Sequence, residues 1–434
     1  MSNFYNYFQN AFMYHRELLS GASVVFFIKI FGAILAVLSN ILLSRFLGAE
    51  NVGIYFLSLT VVNIAIVISM FGLSNAIIKY SAQSYAKRDW ESLLGLHRNS
   101  AAIITFTATI STLLIILLAP WFASSFFHKP ELSAPLRWMA LIVLPTNFIG
   151  IYICIFKGMQ NIVPATIAES LVVSLLMIVL LLIFKDIINV STAAMCLVAA
   201  TVTNLFFGVI IWRMIISDQK RSRKYFDIKK LLQTSLPLYA VALMNMVMSM
   251  SDIVMLGLWQ DSHVIGIYGV ALRIAAVSSM CLVVVNTIVA PKFSILYEKG
   301  DYDALSQIAR ASTFLMVIIA ALFLILFISI PGIVLSLFGE EFVAGKTILI
   351  ILAIGQFVVL STGPVAALLM MTGHEKFHRN TTIYCAVLNI VLNFMLIPAY
   401  GGVGAAFATA FSLSLKNILA VLHVRKQLNI RLLI

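Results

Sequence analysis

Long stretches of apolar residues recur along the whole chain, separated by short polar segments rich in glycine, proline or charged residues. A helix needs about 20 residues, at ~1.5 Å each, to cross roughly 30 Å of hydrocarbon. Twelve stretches reach this length, so the pattern predicts an all-α integral membrane protein with about twelve transmembrane helices. The predicted spans are residues 20–47, 52–80, 99–119, 136–157, 163–184, 191–215, 235–259, 265–290, 307–329, 346–371, 379–397 and 403–424.

The composition agrees with this class. Of 434 residues, 62% are apolar and 11% are charged, whereas a soluble domain carries about 25% charged residues. Four cysteines fall singly inside apolar stretches, which predicts buried thiols without disulfides or a metal site. They are Cys154, Cys196, Cys281 and Cys385. The N-terminal segment 1–19 has no cleavable-signal pattern, and Phe4, Phe8 and Phe12 lie four apart, so we expect an interfacial amphipathic helix.

The distribution of lysine and arginine predicts the orientation in the membrane. With the N-terminus in the cytoplasm, 21 of these residues lie at inner ends and loops, and five lie outside. Because positively charged loops stay in the cytoplasm, both termini are predicted to be cytoplasmic. This topology also explains the net charge of +12, so no nucleic-acid partner is indicated. The five outer residues are Arg45, Lys129, Arg137, Lys185 and Lys346.

An internal repeat relates the two halves of the chain. One gap-free register places Val52–Tyr55 on Ile265–Tyr268 and Lys79 on Lys292, and we call it the repeat register. Each half has six spans that start inside, which predicts two bundles related by a pseudo-two-fold axis along the membrane normal, with any pathway on that axis. The predicted units are an interfacial segment 1–19, a six-helix bundle 20–215, a cytoplasmic linker 216–234, a six-helix bundle 235–424 and a cytoplasmic tail 425–434. The basic linker is either simply solvated or in contact with anionic lipid headgroups.

Five ionisable residues lie well inside the predicted spans, namely Lys29, Glu169, Asp252, Arg273 and Lys416. A charge at the bilayer centre costs roughly 2.5–3.5 kcal/mol, so most of them should face the bundle interior or a wet cavity. Asp252 and Arg273 either form a structural ion pair or line such a cavity. Glu169 and Lys416 lie nearer the cytoplasmic ends and could also reach the interface.

The sequence does not favour an enzyme. It has no P-loop, nucleophile elbow or metal-ligand cluster, and its seven histidines lie in loops or at span ends. The outer loops reach only about sixteen residues, which leaves little room for the catalytic groups of a lipid-modifying enzyme. Transport is therefore the predicted activity. Without an ATP site, it must draw on an ion gradient, the membrane potential or the substrate's own gradient.

Three segments carry a family resemblance: LLSRFLGAENVGIYFLSLTVV at 42–62, GIYGVALRIAAV at 266–277 and LNIVLNFMLIPAYGGVGAAFATAFS at 388–412. Together they resemble Wzx-type O-antigen flippases of the multidrug/oligosaccharidyl-lipid/polysaccharide exporter superfamily, over nearly the whole chain. The resemblance implies a V-shaped cavity between two bundles that opens alternately to each side. It implies that undecaprenyl-pyrophosphate-linked oligosaccharides move from the inner to the outer leaflet of the bacterial cytoplasmic membrane, for O-antigen, lipopolysaccharide or capsule assembly.

The resemblance also makes polysaccharide polymerase and assembly proteins candidate partners. Two alternatives remain open, an ion-coupled multidrug exporter of the same superfamily and a non-transporting scaffold for polysaccharide assembly. A drug exporter would favour an acidic cavity for cationic drugs, whereas the deep charges here comprise three cations and two acids.

An anionic pyrophosphate headgroup needs cationic partners inside the bundle. Arg273, Lys29 and Lys416 are the predicted substrate-binding cations. Arg273 is the foremost candidate because a guanidinium binds phosphate oxygens in a bidentate manner and stays charged. It also occupies the arginine position of the family-like segment.

A second group of residues could bind a coupling cation, either Na⁺ or H⁺. Asn389 and Asn393 lie one turn apart on a predicted helix, Thr409 follows in the last span, and Asp252 supplies a carboxylate. The alternative is that the two asparagines only bond neighbouring helices together. Pro145 and Pro364 lie inside predicted spans and are either hinges or static kinks.

Overall fold

The computed structural model describes residues 2–217, 226–430 and 432, and for residues 2–23, 237, 238 and 241 the backbone alone. The aromatic side chains of the predicted interfacial segment 1–19 lie outside the described residues. The same holds for residues 218–225 of the basic linker and for Arg431 in the tail.

Helices make up nearly all of the described chain, and no β-strand occurs in it, which confirms the predicted all-α class. The helices are α1 (Ser2–Met70), α2 (Leu73–Ala86), α3 (Trp90–Trp121), α4 (Ser133–Ala140), α5 (Val143–Gly158), α6 (Ile162–Ser170), α7 (Val172–Ile183), α8 (Val190–Ile216), α9 (Ile228–Trp259), α10 (Ser262–Glu298), α11 (Tyr302–Ser329), α12 (Pro331–Ser336), α13 (Lys346–Ser361), α14 (Val365–Met371) and α15 (Glu375–Leu428). Four short turns lie between them, at Phe122–Phe126, Pro130–Leu132, Lys185–Ile187 and Glu340–Gly345.

In the described chain, nine helical segments are long and apolar enough to cross a bilayer, and a bent pair made of Pro130–Ala140 and Val143–Gly158 is a tenth. Large apolar side chains cover their outer surfaces, as a lipid environment requires. Leu117, for example, is 74% exposed and Phe106 is 69% exposed. The predicted multi-pass membrane protein is therefore confirmed.

Two of these helices are too long for one crossing, and each contains a glycine with non-helical dihedral angles. Gly48 divides α1 (φ 73°, ψ 169°) and Gly401 divides α15 (φ 53°, ψ −132°). The chain reverses at Gly401. Gly404 returns to Leu396, since a β-carbon built on Gly404 would lie 3.0 Å from the β-carbon of Leu396. These positions match the predicted boundaries after residues 47 and 397. The full arrangement of twelve helices in two bundles stays a prediction.

Both predicted hinge prolines lie where helices break. Pro145 is near the start of α5, directly after the 41° bend that separates it from α4. Pro364 precedes α14, after α13 has ended at Ser361 and the chain has passed through Gly363 with a φ of 63°. Their role as hinges stays a prediction.

The halves meet in a reciprocal contact between α1 and α10. A β-carbon on Gly53 would lie 3.0 Å from the backbone nitrogen of Gly266, and one on Gly266 would lie 3.1 Å from that of Gly53. Gly53 also faces the carbonyl of Ser262, and Gly266 that of Ala49. The repeat register maps each of these positions onto its counterpart in the other half. The contact therefore has the self-complementary form of a two-fold interface, and only glycine lets the two backbones approach so closely.

Candidate functional site

Arg273 on α10 lies at the interface between the two halves. Its guanidinium carbon is 3.4 Å from the ring centroid of Phe56 on α1. Its Nη1 donates a hydrogen bond of 3.0 Å to the carbonyl of Gly269, one turn earlier in the same helix. No described carboxylate forms a salt bridge with Arg273, so the ion pair with Asp252 that the sequence left open is not formed. Arg273 is thus a cation at the interface with no anionic partner among the described residues.

The residues around Arg273 fix its position. Gly269 is required here because a β-carbon would collide with the ring of Phe56. The fully buried ring can therefore lie flat beneath the guanidinium, and such a cation–π contact contributes about 0.5–2 kcal/mol. Tyr55, which is also buried, lies close enough to Arg273 for electrostatic interaction. Arg273 is therefore held against the opposite half by the ring of Phe56.

The other predicted cations do not join Arg273 in one cluster. Lys29 lies half-buried on α1, without a hydrogen bond or ion pair to described residues. Lys416 lies half-buried on α15, close to Cys385 and His378. The structure therefore gives Arg273, Lys29 and Lys416 separate surroundings, and their shared role in substrate binding stays a prediction.

Asp252 on α9 is the most deeply buried acidic group of the site, at 2% exposure. The hydroxyl of Tyr268 on α10 donates a short hydrogen bond to its Oδ2. The hydroxyl of Thr409 on α15 donates to the same oxygen over 3.3 Å, and the backbone nitrogen of Ile253 donates to Oδ1 over 3.2 Å. A buried charge requires such compensation, and three helices supply it here. Asp252 and Thr409, predicted to act together, are in contact.

The two predicted asparagines form the neighbouring part of this site. Nδ2 of Asn393 donates to Oδ1 of Asn389 over 3.1 Å, and the hydroxyl of Ser251 on α9 donates to the same oxygen over 2.8 Å. Because Ser251 precedes Asp252, it links the asparagine pair to the carboxylate along α9. Oδ1 of Asn393, Nδ2 of Asn389 and the hydroxyl of Ser412 are buried without a partner among the described residues. Such groups are rare in native proteins unless a water or ion satisfies them.

Sequence reasoning did not identify Tyr268, Phe56 or Ser251 as site residues. Tyr268 was visible in the sequence only as part of the repeated tetrapeptide that set the register, Ile265–Tyr268. Its equivalence to Tyr55, which is also buried, is the signal that could have drawn attention to it.

Glu169 lies near the surface and, unlike Asp252 and Arg273, has an ion-pair partner among the described residues. Its Oε1 lies 3.0 Å from Nζ of Lys157, and the side chains are 43% and 35% exposed. It therefore forms a surface ion pair between α5 and α6 and has no contact with the site described above.

The fold and the buried polar site together define a multi-pass helical membrane protein. The profile of the polysaccharide biosynthesis protein family matches residues 18–297, and that of the MatE family matches residues 237–395. The chain belongs to the polysaccharide biosynthesis protein family. The predicted membership of the multidrug and polysaccharide exporter superfamily is confirmed.

Individual proteins agree with this assignment. The chain is 24% identical to a protein of Haloferax volcanii described as a "Probable low-salt glycan biosynthesis flippase", over 93% of this chain and 82% of that protein. An inward-facing multidrug resistance MATE transporter shares the fold with a TM-score of 0.74 at 16% identity, covering 94% of this chain and 98% of its own. The lipid II flippase MurJ in an inward closed conformation gives a TM-score of 0.71 at 14% identity, covering 92% and 87%.

Proposed function

We propose that this protein is a flippase for lipid-linked glycans, and that Arg273 binds the phosphate-bearing headgroup of the lipid. The observation that carries the proposal is a guanidinium at the interface of the halves, stacked on Phe56 and without a carboxylate partner among the described residues. An uncompensated cation in this setting has a free energy cost, which binding of an anionic headgroup would offset. The flippase relative from Haloferax volcanii and the shared fold of MurJ support the same substrate class.

The finer proposal follows from the chemistry of such a headgroup. A lipid pyrophosphate offers planar arrays of oxygens that a guanidinium binds with two parallel hydrogen bonds. We propose undecaprenyl-pyrophosphate-linked oligosaccharide as the cargo, moved from the inner to the outer leaflet of a bacterial cytoplasmic membrane by alternating access. Both termini would face the cytoplasm, and the product would enter O-antigen or capsule assembly. The protein would act as a transporter without enzymatic activity.

We further propose that Asp252, Thr409, Asn389 and Asn393 bind the ion that drives transport, Na⁺ or H⁺. The carboxylate and the unpaired oxygen of Asn393 are the kinds of ligand that hard cations prefer. A proton is the other candidate, because burial away from water favours the neutral form of a carboxylate, and Asp252 is 2% exposed.

An ion-coupled multidrug exporter is the alternative function, and the MATE transporter with the same fold favours it. A cationic drug, unlike a small ion, would need a carboxylate that it can contact directly, and Asp252 is only 2% exposed. Asp252 already accepts hydrogen bonds from Tyr268 and Thr409, whereas Arg273 has no anionic partner among the described residues. This difference supports an anionic cargo.

The proposal is tested by translocation of a fluorescent lipid-linked oligosaccharide in proteoliposomes. Arg273→Ala should reduce the initial rate by about tenfold or more, since charged hydrogen bonds contribute about 1.5–3 kcal/mol. Arg273→Lys should recover part of it, because lysine keeps the charge and loses the planar fork. The matched control is Arg137→Ala, an exposed arginine outside the site. If Arg273→Ala transports at the wild-type rate, or if only cationic dyes are moved, the flippase proposal is wrong.

A further inference from the structure

Two of the five predicted outer cations contact the opposite half of the protein through backbone carbonyls. Lys129 follows α3 in the first half, and its Nζ donates to the carbonyl of Gly257 on α9 over 2.9 Å. Arg45 on α1 donates through Nε to the carbonyl of Leu337 in the second half over 2.7 Å. Both residues lie on the predicted outer side, where the positive-inside rule disfavours lysine and arginine. A structural role would explain why they are present there.

The two contacts lie at equivalent places of the internal repeat, although the donor belongs to the connecting segment in one contact and to the helix in the other. The segment 122–132 reaches the outer end of α9, where Phe127 lies against Gly257. The segment 337–345 reaches the outer end of the first arm of α1, where Oε2 of Glu341 accepts a 2.9 Å hydrogen bond from the backbone nitrogen of Ala49. The repeat register places Gly257 on Ser44, next to Arg45. Each segment also contains a short turn before the next helix, Pro130–Leu132 in the first half and Glu340–Gly345 in the second. Each half thus extends one segment onto the same place of the other half.

The surroundings differ between the two donors, since Arg45 is exposed and Lys129 is half-buried. Burial lowers the pKa of the Lys129 ammonium, and the neighbouring carboxylates of Asp261 and Glu131 partly offset that effect. The lysine is thus partly removed from water and held at a carbonyl oxygen. Ala49 connects the second contact to the glycines, because its nitrogen donates to Glu341 and its carbonyl faces Gly266. The backbone contact of Gly53 with Gly266 leaves no room for even a methyl group.

We propose that Arg45, Lys129 and Glu341 form a two-part lock that closes the outer side of the protein, over the contact of Gly53 with Gly266. The lock opens when the halves separate at their outer ends to release cargo, and it thus rests on the alternating access of the proposed function. It explains why cations are retained on the outer side, and it requires neither substrate nor ion to remain closed.

The lock is tested in the full-length protein by electron–electron distance measurement between spin labels on Asp186→Cys and Tyr400→Cys. These exposed positions lie in the outer loops of the two halves, and the half-buried Cys281 is replaced by serine. The variant pair Arg45→Met and Lys129→Met removes both donors and keeps the aliphatic stems. We expect the ratio of long to short distances to rise about tenfold, from the loss of two charged hydrogen bonds. The matched control pair is Arg137→Met and Lys185→Met, two exposed outer cations without such contacts.

A second set of variants tests whether misfolding, and not opening of the lock, changes the measured distances. Gly53→Ala and Gly266→Ala should each shift the distances as the lock variants do, because they are equivalent positions. Gly158→Ala is the control, since its β-carbon would crowd Ser81 within the first half at 2.6 Å. Distances that match wild type in the lock and glycine variants would overturn the lock. If the distances shift but wild-type protein moves no lipid-linked glycan, the lock stands and the proposed function fails.

Discussion

The hydroxyl of Tyr268 on α10 donates a hydrogen bond to the buried carboxylate of Asp252 on α9. The next residue of α10, Gly269, receives the ring of Phe56 from the other half, and that ring supports Arg273. A single turn of α10 therefore contacts the carboxylate on one side and the opposite half on the other. If Asp252 binds the proposed coupling ion, Tyr268 provides a direct physical connection from that residue to the turn of α10 that carries Arg273.

Replacement of Tyr268 by phenylalanine should remove this connection while keeping the ring. Loss of a hydrogen-bond donor to a buried carboxylate destabilises the folded protein by about 1–3 kcal/mol, so the thermal unfolding midpoint should fall. Stimulation of translocation by an imposed Na⁺ or pH gradient should also be lost, whereas headgroup binding without a gradient is retained. The control is Tyr55→Phe, the repeat-equivalent tyrosine, whose hydroxyl makes no hydrogen bond to Asp252. Equal loss of gradient stimulation in both variants would show that Tyr268 has no special role.

Replacement of Phe56 by leucine should weaken the headgroup site without changing its charge. The ring face beneath Arg273 is lost, and a cation–π contact contributes about 0.5–2 kcal/mol. We therefore expect about a 2- to 30-fold rise in the lipid concentration that gives half-maximal translocation. Phe293→Leu, a fully buried change in the second half, is the matched control for loss of ring volume. The same rise in both variants would assign the effect to packing alone.

Replacement of Glu169 by glutamine should have little effect, although the residue lies within a predicted span. Its ion pair with Lys157 is 35–43% exposed, and such pairs contribute about 0–1 kcal/mol. We expect wild-type translocation and a nearly unchanged unfolding midpoint. A rate reduced by more than about tenfold corresponds to ~1.4 kcal/mol, which exceeds that range, and it would place Glu169 in the pathway instead.

Each described segment that is long and apolar enough to cross a membrane overlaps a predicted span, because crossing a bilayer imposes the same physical requirement on every span. Helix α3 begins at Trp90, well before the predicted span at 99, and α10 continues to Glu298 beyond residue 290. These extensions lie at predicted cytoplasmic ends, where a helix can continue into water after its apolar residues stop. Hydropathy therefore reports the span and not the full helix.

The candidate site was harder to predict than the spans, since several residues that complete it, such as Phe56 and Tyr268, do not differ in sequence from other aromatic residues of the chain. Asp252, Asn389, Asn393 and Thr409 were found because polar groups stand out against an apolar background. Phe56 does not stand out, and its role depends on a contact between halves that lie far apart in the chain. The repeat register was the one sequence feature that foreshadowed that contact, through Gly53 and Gly266.

Replacement of Asn393 by leucine distinguishes two roles for this residue, binding of the coupling ion and hydrogen bonding between helices. The buried Oδ1 of Asn393 has no hydrogen-bond partner among the described residues, as expected of a ligand for Na⁺ or of an acceptor in a proton path. The control is Asn417→Leu, on the other arm of α15 beyond Gly401. Its Nδ2 donates to the carbonyl of Leu413, and its Oδ1 accepts from the hydroxyl of Thr362. We expect both variants to lose stability, and the Asn393 variant alone to need about tenfold more ion for half-maximal stimulation, a change of ~1.4 kcal/mol. If both variants keep the wild-type ion dependence, Asn393 serves only to bond helices together.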